Sequence, residues 1–114
     1  MEKEILKELP ACPVETTLTL ISDKWKVLIL RDLMLGTKRF GELKKSIGHV
    51  TQKVLTAQLR QMEETGLLTR KVYAEVPPRV EYTLTELGYS LKPVLDAMWA
   101  WGEGYKSRLE GKAE

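Results

Sequence analysis

The sequence predicts a mostly α-helical domain with one small β-hairpin, an α+β class, and three observations carry that prediction. Apolar residues recur at steps of three and four over most of the 114 residues. Strict alternation of apolar and polar residues is confined to Val80-Glu81-Tyr82-Thr83-Leu84. Two prolines, Pro77 and Pro78, separate that run from a second β-like stretch, Arg70-Lys71-Val72-Tyr73, and prolines belong in a turn rather than in a paired strand. With 43% apolar and 30% charged residues, the chain has the balance of one globular domain over residues 1–114.

Residues 1–10 are charged, end at Pro10 and read as an N-terminal arm or a helical turn ordered only against a partner. Pro13 suits a first helical position, and Val14, Leu18 and Ile21 step by four and three, so a helix is expected from about Pro13 to Ile21. Ser22 and Asp23 can cap the next helix, about Lys24 to Leu35, which has so little polar surface that it should be the central core helix. Thr37-Lys38-Arg39 is a short link able to pair as a small strand.

Residues 41–66 hold two further helices. Phe40, Leu43 and Ile47 share one face of the first, which breaks at Gly48. The second opens after a cap at Thr51, buries Leu55, Leu59 and Met62, and stops at Gly66, a residue that accepts positive φ. Two helices joined by a tight turn and followed at once by a hairpin over 69–84 make a winged helix-turn-helix. A final helix over 86–109 opens at Thr85 and is expected to kink at Pro93.

Winding the helix after Thr51 at 100° per residue puts Lys53, Thr56, Ala57 and Arg60 opposite its apolar side, with Gln52 at the edge. Those side chains are small, or are donors able to reach base edges and phosphates. The net charge of +2 hides a marked division: residues 37–80 carry nine basic groups against four acidic ones, while both flanks are slightly acidic. A polyanion is the partner such clustering implies, although a solvated basic face has the same composition. Double-stranded DNA is therefore expected to meet Thr51, Gln52, Lys53, Thr56 and Arg60 in its major groove. Lys38, Arg39, Lys44, Lys45 and Arg79 are expected at its backbone or minor groove. The alternative from another class is a winged-helix module that binds protein and has no DNA site.

The last helix carries more apolar residues than one side of a small domain can cover. Leu95, Met98, Trp99 and Trp101 are expected to bury against a second copy of the chain, since large exposed apolar patches are unusual on monomers. Cys12, the single cysteine, excludes an intrachain disulfide and a multi-thiolate metal site. It stands just ahead of Pro13, where the positive end of a helix dipole favours thiolate; it is either a reactive thiol or a residue packed at a dimer interface. His49 is the only histidine, and no catalytic set, metal site or phosphate loop can be assembled around it, so neither an enzyme nor a cofactor is expected. No apolar run approaches the roughly 20 residues needed to cross a bilayer. The charges of MEKEILKEL interrupt what would be a signal peptide's apolar core, so a cytoplasmic protein without a membrane partner is expected.

A resemblance covers most of the chain, from about Ala11 to Tyr105. Cys12-Pro13-Val14-Glu15, Lys24-Trp25 with Leu28-Ile29-Leu30-Arg31-Asp32-Leu33, and Arg39-Phe40 with Glu42-Leu43 carry its first part. Thr51-Gln52-Lys53-Val54-Leu55-Thr56 with Gln58-Leu59-Arg60, Glu64 with Gly66-Leu67, Val76-Pro77-Pro78-Arg79-Val80-Glu81-Tyr82 and Leu84-Thr85-Glu86-Leu87-Gly88 carry the rest. Together they are similar to the HxlR-type transcriptional regulators, a branch of the MarR-like winged-helix proteins. The resemblance implies a homodimer built on its N- and C-terminal helices, which adds Leu18 to the expected interface. It also implies a pseudo-palindromic operator and, in some members, a response to electrophiles, oxidants or small molecules through a cysteine at the place of Cys12.

Overall fold

The computed structural model describes residues 2–113, so Met1 and Glu114, the ends of the predicted domain and of its arm, lie outside the described residues. The elements run α1 (Glu2–Glu8), α2 (Pro13–Ile21), α3 (Lys24–Leu33), β1 (Lys38–Arg39), α4 (Phe40–Ile47), α5 (Gln52–Glu64), β2 (Leu68–Tyr73), β3 (Arg79–Leu84), α6 (Glu86–Tyr89) and α7 (Lys92–Ala113). The fold is mostly helical with one small antiparallel sheet, as the sequence predicts. Within the segment read as an arm, Glu2–Glu8 is helical.

The core gathers around α3. Ile29, Leu30 and Leu33 are fully buried against Leu43 of α4, Leu55, Leu59 and Met62 of α5, and Leu67 and Leu68 at the root of the hairpin. Each such side chain contributes about 1.5–3 kcal/mol by leaving water. Asp23 caps α3: its carboxylate accepts from Lys26 N at 3.1 Å and from Lys26 Nζ at 3.3 Å. Partial burial pushes that carboxyl up, but these hydrogen bonds and the Lys26 charge pull harder, leaving it below the ordinary aspartate value.

Helix α3 ends two residues before the predicted limit at Leu35. Leu35 N and Gly36 N bond back to Asp32 O and Leu33 O at 3.2 and 3.1 Å, tightening the last turn, and Gly36 (φ 134°) turns the chain away. Leu35 is consequently exposed rather than part of the core. The sheet has the order β1-β3-β2, with Lys38 opposite Tyr82, Leu68 opposite Leu84 and Tyr73 opposite Arg79.

The predicted kinked helix over 86–109 is two helices. Pro93 lies at the second position of α7, where its missing N–H leaves no intrahelical bond unmade, so it starts a helix instead of bending one. At the joint between wing and α6, the Thr85 hydroxyl donates to Gly66 O at 2.6 Å and accepts from Gly88 N at 3.1 Å, while Thr85 N donates to Leu67 O at 3.0 Å. Gly88 is buried there, and a Cβ on it would run into the Leu67 carbonyl and the Leu84 side chain. The 22 residues of α7 stretch the molecule to 56 Å along its longest axis, with a radius of gyration of 16.4 Å. A compact chain of this length would have about 13 Å.

Candidate nucleic-acid interface

Two glycines and one threonine position the central helix. Gly48 (φ 91°) ends α4, with its N–H on Lys44 O at 3.0 Å, and reverses the chain through His49 and buried Val50. Thr51 then caps α5, its hydroxyl accepting from Val54 N at 3.1 Å. Gly66 (φ 83°) closes α5 and lets β2 begin at Leu68. Because Leu55, Leu59 and Met62 are locked into the core, the opposite side of α5 is fixed outward. Gln52, Lys53, Thr56, Ala57 and Arg60 form one exposed surface there.

Strand alternation decides what stands beside that surface. Arg70 pairs with Tyr82 across the hairpin and so shares the side of β2 that faces α5. Arg70, Val80, Tyr82 and Phe40 join Gln52, Thr56, Leu59, Arg60 and Glu63 around a cleft of about 370 Å³. Arg70 is exposed within it. It was not among the residues singled out from sequence, although its phase with Leu68 was the available signal.

The remaining predicted contacts fall into two groups. Arg39 and Lys45 are exposed and Lys38 and Lys44 half-buried, in β1 and α4; Arg39 N donates to Glu42 Oε1 at 2.8 Å, closing the first turn of α4. Arg79 differs. Its guanidinium lies 3.9 Å from the centre of the Tyr73 ring, with nitrogens 3.3 Å from Glu75 and 3.5 Å from Glu81. It starts β3 and braces the outer face of the wing. Of the nine basic residues over 37–80, Arg79 alone pairs with a carboxylate among the described residues; the other ion pairs involve Lys26, Arg31 and Lys92.

Leu18 of α2 and Met98, Trp99 and Trp101 of α7 are exposed, and Leu95 is half-buried against the core. Trp101 stacks on Tyr105 at 5.4 Å. Trp99 and Met98 border a groove of about 400 Å³ with Val27 and Leu28. Cys12, the residue ahead of α2, is exposed and its side chain makes no capping hydrogen bond. His49 packs edge-on against Trp25 at 5.9 Å. Among the described residues no cluster of three His, Cys, Asp or Glu could hold a metal ion, and no helix is long and apolar enough to cross a membrane.

Comparison with known proteins agrees with this architecture. The model of the HxlR-like helix-turn-helix family matches residues 20–110. The HTH-type transcriptional regulator YdeP of Bacillus subtilis is 50% identical over 103 residues, 90% of this chain and 80% of its own. An HTH-type transcriptional regulator of Methanothermobacter thermautotrophicus is 48% identical over 103 residues, 90% of this chain and 79% of its own. The redox regulator HypR in its reduced form superposes with a TM-score of 0.82 at 44% identity, over 88% of this chain and 99% of that one. Its oxidised form gives 0.76 at 46%, over 82% and 96%. With the capped helix-turn-helix, the hairpin behind it and relatives that are transcriptional regulators rather than enzymes, the chain belongs to the HxlR-like helix-turn-helix family.

Proposed function

We propose that this protein binds double-stranded DNA as a homodimer and regulates transcription from the chromosome, in the cytoplasm. In this reading α5 enters the major groove with Gln52, Lys53 and Thr56 toward base edges, and Thr51 keeps its hydroxyl proton for a phosphate while capping the helix. Lys38, Arg39, Lys44 and Lys45 flank the backbone, and Arg79 keeps the wing rigid beside the minor groove. The observation that carries the reading is the unpaired basic surface: of the nine basic residues over 37–80, the eight other than Arg79 stand without carboxylate partners among the described residues. Unpaired cations on one face are what an incoming phosphate row can neutralise without first breaking ion pairs.

The uncovered apolar side of α7, with Leu18 and Leu95, supports a second copy of the chain as the other partner, related by a two-fold axis. Two copies of α5 would then meet half-sites about 34–36 Å apart. Cys12 is the thiol an effector would meet: a quinone ring carbon bonds to its sulfur, the S–H bond breaks, and the thiol proton and the hydrogen of the attacked ring carbon end on the two ring oxygens, leaving a hydroquinone thioether. Selection from a pool of random duplexes tests the reading. An inverted repeat with half-sites one helical turn apart is expected among bound sequences. No enrichment, with protein captured instead by other proteins, would sink it in favour of a protein-interaction module.

A further inference from the structure

We infer that Arg60 and Arg70 grip the sugar-phosphate strand that runs between the two grooves, and that Arg60 therefore holds DNA of any sequence instead of reading a base. This rests on the DNA-binding reading above and assigns roles within the same surface.

The placement argues it. Arg60 is the ninth of the 13 residues of α5, two turns beyond the N-terminal residues that sit deepest when a helix enters a major groove. Arg70 comes from a different element, on the side of β2 that faces α5. The two, from different elements, line one cleft together with Phe40, Leu59 and Tyr82. A duplex lying along α5 with the wing at its minor groove passes its backbone through the space between those elements. Neither guanidinium has a carboxylate within ion-pair distance among the described residues, although Glu63 borders the same cleft. Its carboxylate limits how much anion the cleft takes and favours one strand over a second phosphate row. A guanidinium presents several donors in a rigid fork suited to phosphate oxygens, and two such forks from two elements would fix the duplex against sliding along the helix. Lys71, one residue on, stands opposite Glu81 in the strand register without an ion pair to it and lies over Tyr73 at 4.8 Å, on the outer face.

The test measures binding of Arg60→Ala, Arg70→Ala and Lys71→Ala to a selected duplex and to an unrelated one over a salt series, with thermal melting to check folding. Each arginine variant should lose affinity about tenfold on both duplexes, with the salt slope reduced by about one. Lys71→Ala should stay within about twofold of the parent. A loss confined to the selected duplex, with preference relaxed at one base pair, would make Arg60 a base reader and overturn the proposal. So would an Arg70→Ala protein that binds as tightly as the parent, or a Lys71→Ala loss as large as that of Arg70→Ala. If the parent protein itself binds duplex DNA without salt dependence, the underlying DNA reading fails instead.

Discussion

Replacing Trp99 by alanine tests the apolar side of α7. Trp99 is 68% exposed in the single chain; a tryptophan carries roughly 250 Å² of surface, so about 170 Å² is open to a partner. At about 25 cal/mol per Å², complete cover would stabilise a dimer by about 4 kcal/mol per copy. The alanine keeps part of that area and interfaces cover their side chains unevenly, so about 2 kcal/mol per copy is a fair expectation. A two-fold interface counts the change twice, giving about 4 kcal/mol, or a dissociation constant raised about a thousandfold. Sedimentation velocity over a concentration series, run on both proteins, measures it. The parent should sediment as a dimer at micromolar concentration and the variant as a monomer that still binds an isolated half-site. A variant that sediments like the parent would show that Trp99 lies outside the interface, and a parent that stays monomeric at high concentration would refute the dimer.

Three further outcomes are expected. Gly88→Ala should destabilise the fold by about 2–3 kcal/mol, lowering the melting temperature by roughly 10 °C: the added carbon displaces Leu67 O from its bond to Thr85 N, and the gain in helix propensity offsets only part; an unchanged melting curve would mean the joint yields freely. Asp23→Asn keeps a capping oxygen and a residue tolerant of positive φ (84° here) but removes the charge. Since the Asp23 carboxyl sits below its ordinary value, its charge stabilises the fold above that value and ceases to do so as the pH falls through and below about 4. Urea unfolding at a series of pH values should thus show a parent-variant gap at neutrality that closes in acid, and a gap that widens in acid would reverse the assignment. Cys12→Ser should bind DNA like the parent yet keep binding after quinone treatment that releases the parent; equal release of both would place the response elsewhere.

The elements whose signals are local were legible in the sequence. Thr51 caps α5 because its hydroxyl reaches a backbone N–H three residues on, and Gly66 ends the helix because the reversal needs positive φ; both are properties of a few neighbouring residues. The exposed face of α5 followed from the period of Leu55, Leu59 and Met62 for the same reason. What was not legible depends on cross-strand register. Arg79 is expected at the DNA backbone or minor groove; that its register opposite Tyr73 also sets it against an aromatic ring and two carboxylates, Glu75 and Glu81, is not readable from the order of residues. The same register turns Arg70 toward α5. A proline inside a periodic apolar pattern suggests a kink at Pro93, but the chain breaks the helix earlier, at Ser90-Leu91, and uses the proline as a start.

The most direct measurement of the central claim is the affinity of the unmodified protein for duplex DNA at a series of salt concentrations. Binding through the unpaired cations around α5 predicts a straight, steep fall of log affinity with log salt, with a slope of about −0.9 for each phosphate contacted and several contacts per protomer. Affinity that stays flat across the series would contradict the account.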